Sequence, residues 1–421
     1  MRFSKIKAGA LQLTMFIMMV VAILLMSFIL LVDTHKRFQV KTNFLVETVD
    51  LVNQGLGYAL TNNIISGDTL LVNYNSEDFK SLKIIRDYWG VFEKVMVDSK
   101  IKNNRLKKVV LVGAKQPELN RTALFLADNN RPLVVVGETK IVGTCFLPKQ
   151  GVRTGNIAGY SYYGSQLIYG DTQISGELPE LAKENGKYIT NLEEILNHLD
   201  QNQFLDMGKE MVFKNSFFDP LKVLYSPVEI NIEDYSVTGH IIIQSKTRII
   251  VGMHSKLQDV VLVAPEIVFE SGFSGTCQAI ATKKIEVEKS CVLNYPSSLI
   301  LKASSQQKLI DEKKDKPQLT IGEHSEIKGA VAYIGHVKNY KTQVNIARNT
   351  IIKGEVYCEG NLELEGAVIG SVFTSNFVAN QSGSSYQNHL YNAQISIEEL
   401  PIQYVGLMFD SSDKAVVKWL Y

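Results

Sequence analysis

From Ala8 to Val32 the chain passes through 25 uncharged positions, AGALQLTMFIMMVVAILLMSFILLV, before polar residues resume. At 1.5 Å of rise per residue, a helix of that length crosses a hydrocarbon core of roughly 30 Å. The run predicts a transmembrane helix over 8–32. A cleaved secretory signal has a shorter apolar region ending in small residues, whereas Met26-Ser27-Phe28-Ile29-Leu30 runs straight on. Beyond Val32 the helical period persists, with Phe38, Leu45, Val49, Val52, Leu56 and Ala59 at steps of seven, four, three, four and three. That spacing is one stripe on one face, so an amphipathic continuation is expected over 33–62. The stripe packs on the rest of the chain or on a partner helix.

Residues 63–131 show no single period, with a polar, helix-compatible stretch over 77–94 and strand-like runs at 109–112 and 123–126. A mixed collar is expected there. From Pro132 the pattern changes to a six-residue beat. Val135-Val136-Gly137 is echoed by Ile141-Val142-Gly143, and later Ile346, Ile352, Cys358 and Leu364 keep one register while Gly354, Gly360 and Gly366 keep another. Longer self-similarity accompanies it: LTIGEHSEIKGAVAYIG over 319–335 aligns with VNIARNTIIKGEVYCEG over 344–360. A six-residue phase with apolar residues inside and glycine at corners describes coils that stack on one another, because a short strand cannot bury its apolar face alone. The expected fold is therefore mainly β: a single-span N-terminal transmembrane helix, then a parallel β-helix (solenoid) over 132–398. Thr190-Asn191-Leu192-Glu193 has the form of a capping box, and a helical insertion is expected near 190–213. The tail, 399–421, is expected to cover the last coil.

Two resemblances follow from these residues. A basic leader ending in Gly9, followed by an apolar helix that runs on as an amphipathic one, resembles the N-terminus of type IV pilins and minor pseudopilins. The resemblance implies cleavage after Gly9, with Ala10 as the new terminus, and a long helix that engages partner helices. Where that family usually carries a glutamate, at the fifth mature position, this chain has Thr14. The glycine phase over 319–374 resembles that of bactofilins, which implies a β-helical fold.

Charge sets the orientation. Arg2, Lys5 and Lys7 in the leader 1–7 precede the apolar run with no acid, whereas Asp33 interrupts the bases His35, Lys36, Arg37 and Lys41. The bias places the N-terminus in the cytoplasm and the remainder in the periplasm or outside the cell. Removing the three leader bases from the net charge of +1 leaves −2, which offers no basic field for nucleic acid.

Candidate chemistry is sparse. Cys145, Cys277, Cys291 and Cys358 have no metal-ligand spacing and read as buried apolar residues, with a Cys277–Cys291 bridge the one alternative. The acids Asp311, Glu312 and Asp315 alternate with lysines beside Pro317 and read as a solvated loop; His254, His324 and His336, considered as general bases, sit in polar loop contexts. No sequence signal calls for a cofactor or a metal. Aromatic crowding is the best sign of a binding surface: Tyr160, Tyr162, Tyr163 and Tyr169 fall within ten residues and suit a glycan or protein interface. The sequence thus favours a membrane-anchored structural or interaction protein of a bacterial cell envelope, pseudopilin-like or adhesin-like, whose partners are the membrane and envelope proteins or glycans. The competing class is an envelope polysaccharide-active lyase or hydrolase on the same scaffold.

Overall fold

The apolar run and its amphipathic continuation form one unbroken helix, Gly9–Thr61. The computed structural model describes residues 9–62, 64–73, 79–117, 120–303, 318–335, 341–410 and 412–420; the leader 1–7 and Ala8 lie outside them. The chain is mainly β beyond this helix. It divides into two compact units, one of residues 1–59, 69–85 and 97–108, the other of 60–68, 86–96 and 109–421.

In the first unit, every large apolar side chain of the helix from Leu11 to Val32 is exposed, whereas Thr48, Leu51, Val52, Gly55, Leu56 and Ala59 are buried. The buried face lies against strand residues of the same unit. A Cβ on Gly55 would meet Val97 Cγ1 at 2.8 Å and Leu82 Cδ1 at 3.0 Å, so the helix approaches more closely than any side chain allows. Ser99 Oγ donates to Thr48 O at 2.9 Å, and Lys102 Nζ lies 4.3 Å from the centroid of Phe44 and 5.0 Å from that of Phe79. Thr69–Asn73 pairs antiparallel with the strand Lys80–Trp89, in the register Thr69↔Ile85 to Asn73↔Ser81.

The described part of the stretch over 77–94, from Phe79 on, is not helical. From Lys80 onward it belongs to the strands Lys80–Trp89 and Phe92–Ile101. Leu82, Ile84, Arg86 and Tyr88 are buried alternately, which is a period of two. Arg86 conceals that period in the sequence, since an arginine on the buried face breaks the apolar alternation. Its burial is compensated within the second unit by Glu93 at 2.5 Å and Glu184 at 2.9 Å, with Lys414 Nζ 3.0 Å from the other oxygen of Glu93.

The second unit is dominated by short strands stacked in parallel. One interior column runs Leu205, Leu224, Ile243, Leu262, Ala279, Leu299, Val331, Val356 and Val372, each paired with the next. The alignment of 319–335 with 344–360 is the observed register, with Ile327↔Ile352, Gly329↔Gly354 and Val331↔Val356. The column does not end at Val372. It continues to Leu124, Cys145 and Thr172, so residues from the chain's earlier part stack on its later part. A second column shows the same junction, where Ile395 lies between Val368 and Ile141.

The stack therefore starts at Thr122–Leu126 in the chain, ten residues before the expected boundary, and its spatial order is a permutation of chain order. The chain builds from the junction out to Thr172–Ile174. It is then carried back to the far end at Phe204–Leu205. The intervening segment contains the helix Lys183–Asn191 and the 3₁₀ turns Leu192–His198 and Gln201–Gln203, so the insertion begins and ends earlier than 190–213. Thr190 is not a cap: it lies in the last turn, with Oγ1 donating to Gly186 O at 2.8 Å. The capping box belongs to Asp200 and Gln203. Ile189 and Leu192 are buried in an apolar cluster with the outward-facing Ile242, Val261, Val263, Ile280 and Ile300.

The tail also departs from expectation. Val405–Gly406 and Lys414–Trp419 pair antiparallel with Asn104–Lys115 rather than covering the strand Ala367–Gln381. That strand needs no such cover, because Thr122–Leu126 already lies against it.

Candidate functional site

Where the segment over 175–203, the crossing segment between Thr172–Ile174 and Phe204–Leu205, leaves the stack, it walls a cavity of about 540 Å³. Three backbone attachments position this wall. Asp128 N donates to Gly176 O at 2.9 Å, Tyr357 OH lies 3.0 Å from Pro179 O, and Ala182 N donates to Met408 O at 2.8 Å. The cavity is acidic at its polar positions, with Asp128, Glu177, Glu180 and Glu359 in the lining and no lysine or arginine among them. Its remaining wall is largely apolar, formed by Leu178, Leu181, Ile189, Ile300 and Ile334.

Glu359 is the most firmly held of the four acids. Its Oε2 accepts from Gly335 N at 2.7 Å and its Oε1 lies 3.1 Å from Tyr357 OH. Lys302, the neighbouring cation, donates to Gly186 O at 2.7 Å and to Thr190 Oγ1, and burial lowers its pKa while Glu359 opposes that shift. Asn185 stands on the helix of the crossing segment and is 7 % exposed. Its Nδ2 donates to Val91 O at 2.8 Å, yet its Oδ1 is buried with no hydrogen-bond partner.

The tyrosines singled out in the sequence occupy a hairpin and the loop after it. Tyr160 lies in the two-residue strand Tyr160–Ser161, which pairs with Asn156–Ile157. Tyr160 and Tyr163 are exposed, whereas Tyr162 is partly buried against the interior core, with its hydroxyl bonded to Gln166 O. Tyr169 OH lies 3.0 Å from Ser165 Oγ, and Lys140 Nζ lies 5.7 Å from its ring centroid. Gly9 and Ala10 begin the long helix and are exposed. Of the helical stripe, Phe38 and Leu45 are exposed, Val49 is half-buried, and Val52 and Leu56 are buried within the first unit.

All four cysteines are buried and free, so no Cys277–Cys291 bridge exists; Cys291 Sγ instead donates to Glu270 O at 3.2 Å. His254 and His324 are exposed. His336 and the acids Asp311, Glu312 and Asp315 lie outside the described residues. Among the described residues, no group of three or more His, Cys, Asp or Glu side chains is placed to hold a metal ion.

One further buried acid stands in the stack. Glu355 is 1 % exposed, accepts from Leu407 N at 2.6 Å and from Gln116 Nε2, and is pushed up to about 7 by burial. Sequence reasoning missed both Glu355 and the cavity. The cavity's acids come from distant stretches of the chain, and only the crossing segment brings them together. No protein family, characterised protein or solved structure matches the chain.

Proposed function

We propose that this chain is a single-pass membrane protein, N-terminus in the cytoplasm, whose exported part is a parallel β-helix serving as a structural or interaction component of a bacterial cell envelope. The observation that carries the reading is the helix Gly9–Thr61, whose first half exposes every large apolar side chain from Leu11 to Val32. In water that surface is unfavourable by about 25 cal/mol per Å², so hydrocarbon is its natural solvent. The permuted parallel ladder supports the β-helical part: each strand buries its inward residues between those of its neighbours, and the interior is filled by side chains rather than left as a channel.

The pilin-like element of the reading concerns the terminus. Thr14, which stands where pilins usually carry glutamate, satisfies its hydroxyl within its own helix by donating to Leu11 O at 2.9 Å. It offers no charge to a neighbouring subunit. A minor or initiating role suits such a helix better than repeated assembly along a filament.

Intact mass and N-terminal sequencing of the protein from native membranes, combined with protease protection in spheroplasts, test the proposal. The expected result is a membrane-pelleting protein whose β-rich part is cleaved only from outside. An N-terminus at Ala10 supports the pseudopilin-like form, and an intact Met1 supports a plain anchor. A soluble protein lacking residues 1–32 would sink the reading.

A further inference from the structure

We propose that the first unit binds the anionic phospholipid headgroups of the membrane its helix crosses, through Lys36, Lys41, Lys100 and Lys102. The inference rests on the reading that the apolar half of the helix lies in hydrocarbon, and every residue it uses lies in the first unit.

The packing of the sheet on the helix shows which end of this unit faces the bilayer. Val97 lies against Gly55, Ser99 Oγ donates to Thr48 O, and Lys102 Nζ lies 4.3 Å from the centroid of Phe44, so residues 97–102 run back along the helix toward Val32. The turn from Ile101 to Asn104 is therefore the membrane-proximal end of the sheet, about 18 Å along the axis beyond Val32. Lys41 precedes Phe44 by three residues and Lys36 by eight, which places both on the half of the helix that carries this turn.

The acids described in this region are already answered. Asp33 accepts from Arg37 Nε at 2.8 Å, Asp98 accepts from Arg105 Nε at 2.8 Å, and Glu47 is paired with Lys80. Asp50, the next acid along the helix, stands farther from the membrane than the turn. Lys36, Lys41, Lys100 and Lys102 are exposed and make no ion pair among the described residues. Glu77 and Asp78, which lie outside the described residues, add two acids to Asp33, Glu47 and Asp98; the seven bases of the region, these four with Arg37, Lys80 and Arg105, still exceed them by two. The near-neutral charge of the whole chain conceals this excess.

Lys102 is the most specific observation. Its φ is +52°, in the left-handed region, whereas the other non-glycine residues with positive φ are Asn, Asp, Ser, Ala or His. A long side chain is disfavoured there, and a turn alone is better served by Asn or Gly. What the lysine adds is a charge. Its ammonium is held over the rings of Phe44 and Phe79, at 4.3 and 5.0 Å, which fix its place without cancelling it.

Distances suit a lipid surface. A headgroup layer is roughly 6 Å deep, and charges are screened over about 8 Å at physiological salt. Lys36 stands about 6 Å along the axis beyond Val32 and meets the layer directly; Lys41, at about 13 Å, lies within one screening length of it. A helix tilt toward the turn, within the range usual for membrane helices, lowers Lys100 and Lys102 as well. Zwitterionic lipid gives these ammonium groups no net attraction, whereas anionic lipid does.

The test is energy transfer from a dye at Asn103→Cys, in the exposed turn, to headgroup-labelled lipid in nanodiscs carrying the full chain; the four native cysteines are buried. Transfer should be about twofold higher in discs containing phosphatidylglycerol than in pure phosphatidylcholine discs, and the difference should vanish at about 0.5 M salt. It should also vanish in K36Q/K41Q/K100Q/K102N, where Asn keeps the left-handed turn, and fall at least by half in K36Q/K41Q/K100Q, which leaves the turn untouched and decides the matter if the first variant does not fold. Equal transfer in both discs, or a difference that persists in the variants, would overturn the proposal while leaving the anchor intact. Equal transfer together with saturable binding of inorganic polyphosphate would assign the lysines to a soluble polyanion instead. Failure of the chain to float with vesicles of either lipid would remove the membrane reading and this inference with it.

Discussion

The consecutive levels at Val331, Val356 and Val372 and those that follow at Leu124, Cys145 and Thr172 perform one structural task with opposite wiring. In the first set each level is the next turn of the same chain, Val356 on Val331 and Val372 on Val356. At the junction Val372 meets Leu124, 248 positions earlier, through the same parallel pairing and with the same near-complete burial of the inward side chains. Stacking energy is local to adjacent levels and indifferent to how they are joined. What differs is the connection: the regular set needs only corners, whereas the permuted set needs a segment that travels the stack's length. That segment brings its own apolar residues and walls a cavity.

If the two sets are equivalent, the most disruptive substitutions should damage them alike. A Cβ on Gly370 would lie 1.8 Å from Gly354 O at φ +147°, and a Cβ on Gly170 would lie 2.4 Å from Gly143 O at φ +151°. Both Gly370→Ala and Gly170→Ala should lower the unfolding midpoint by several degrees or abolish folding, since strain and a backbone clash add. Loss at Gly370 alone would show that the permuted set contributes little to the fold.

Next in size, Leu124→Ala at the junction and Leu299→Ala within the regular run should each cost about 2–5 kcal/mol in denaturant titration, both side chains being 0 % exposed. A much smaller cost at Leu124 would mark the junction as loosely packed. The sharper form of the experiment asks whether the transition splits in Leu124→Ala, because a weak junction frees the permuted levels before the rest unfold.

A third effect belongs to the regular set alone. Glu355 is raised from the ordinary 4.5 to about 7 by burial, so its neutral form suits the fold. The folded state binds this proton more tightly than the unfolded chain does. Stability is therefore fully present below about pH 4.5 and declines as pH rises toward and through 7, by up to about 3 kcal/mol. Glu355→Gln should flatten that decline in melts taken between pH 5 and 8, and a wild-type profile flat over this range would refute the assignment.

The smallest effect is kinetic. Burial pushes the Cys145 and Cys358 thiols up to about 12, which makes both slow to alkylate while folded. Cys145 is covered on its outer side by the single level at Thr172, whereas Cys358 lies deep in the stack. Cys145 should label first under native conditions. Simultaneous labelling would mean that the stack opens only as a whole.

The regular set was legible in the sequence and the permuted set only partly so, for a physical reason. A six-residue phase reports that a segment turns a corner and buries every other side chain; it does not report which level lies above it. Where levels are consecutive, self-alignment supplies the missing information, and the pairing of Ile327 with Ile352 was readable directly. At the junction Leu124 and Val372 carry no shared pattern. The strand over 80–89 was obscured by the buried Arg86, whose carboxylate partners Glu93 and Glu184 lie apart along the chain. The insertion was placed late because Thr190 and Glu193 mimic a cap, while the helix starts after Ala182 without a side-chain cap bond. The apolar run over 8–32 needed no partner to be recognised. The acidic cavity was invisible, being assembled entirely by the crossing segment.

The junction also orders events during synthesis. Thr122–Leu126 leaves the ribosome early, and one edge of it has no partner until Ala367–Gln381 has been made. For most of translation, and of any passage across a membrane, residues 122–174 carry an open parallel edge that invites pairing with other chains. A chain released before Ala367 should leave residues 122–174 sensitive to protease however complete its other levels are. Quality control of this protein thus amounts to inspecting a few late strands, Ala367–Gln381, His389–Tyr391 and Gln394–Ser396, whose arrival closes the stack.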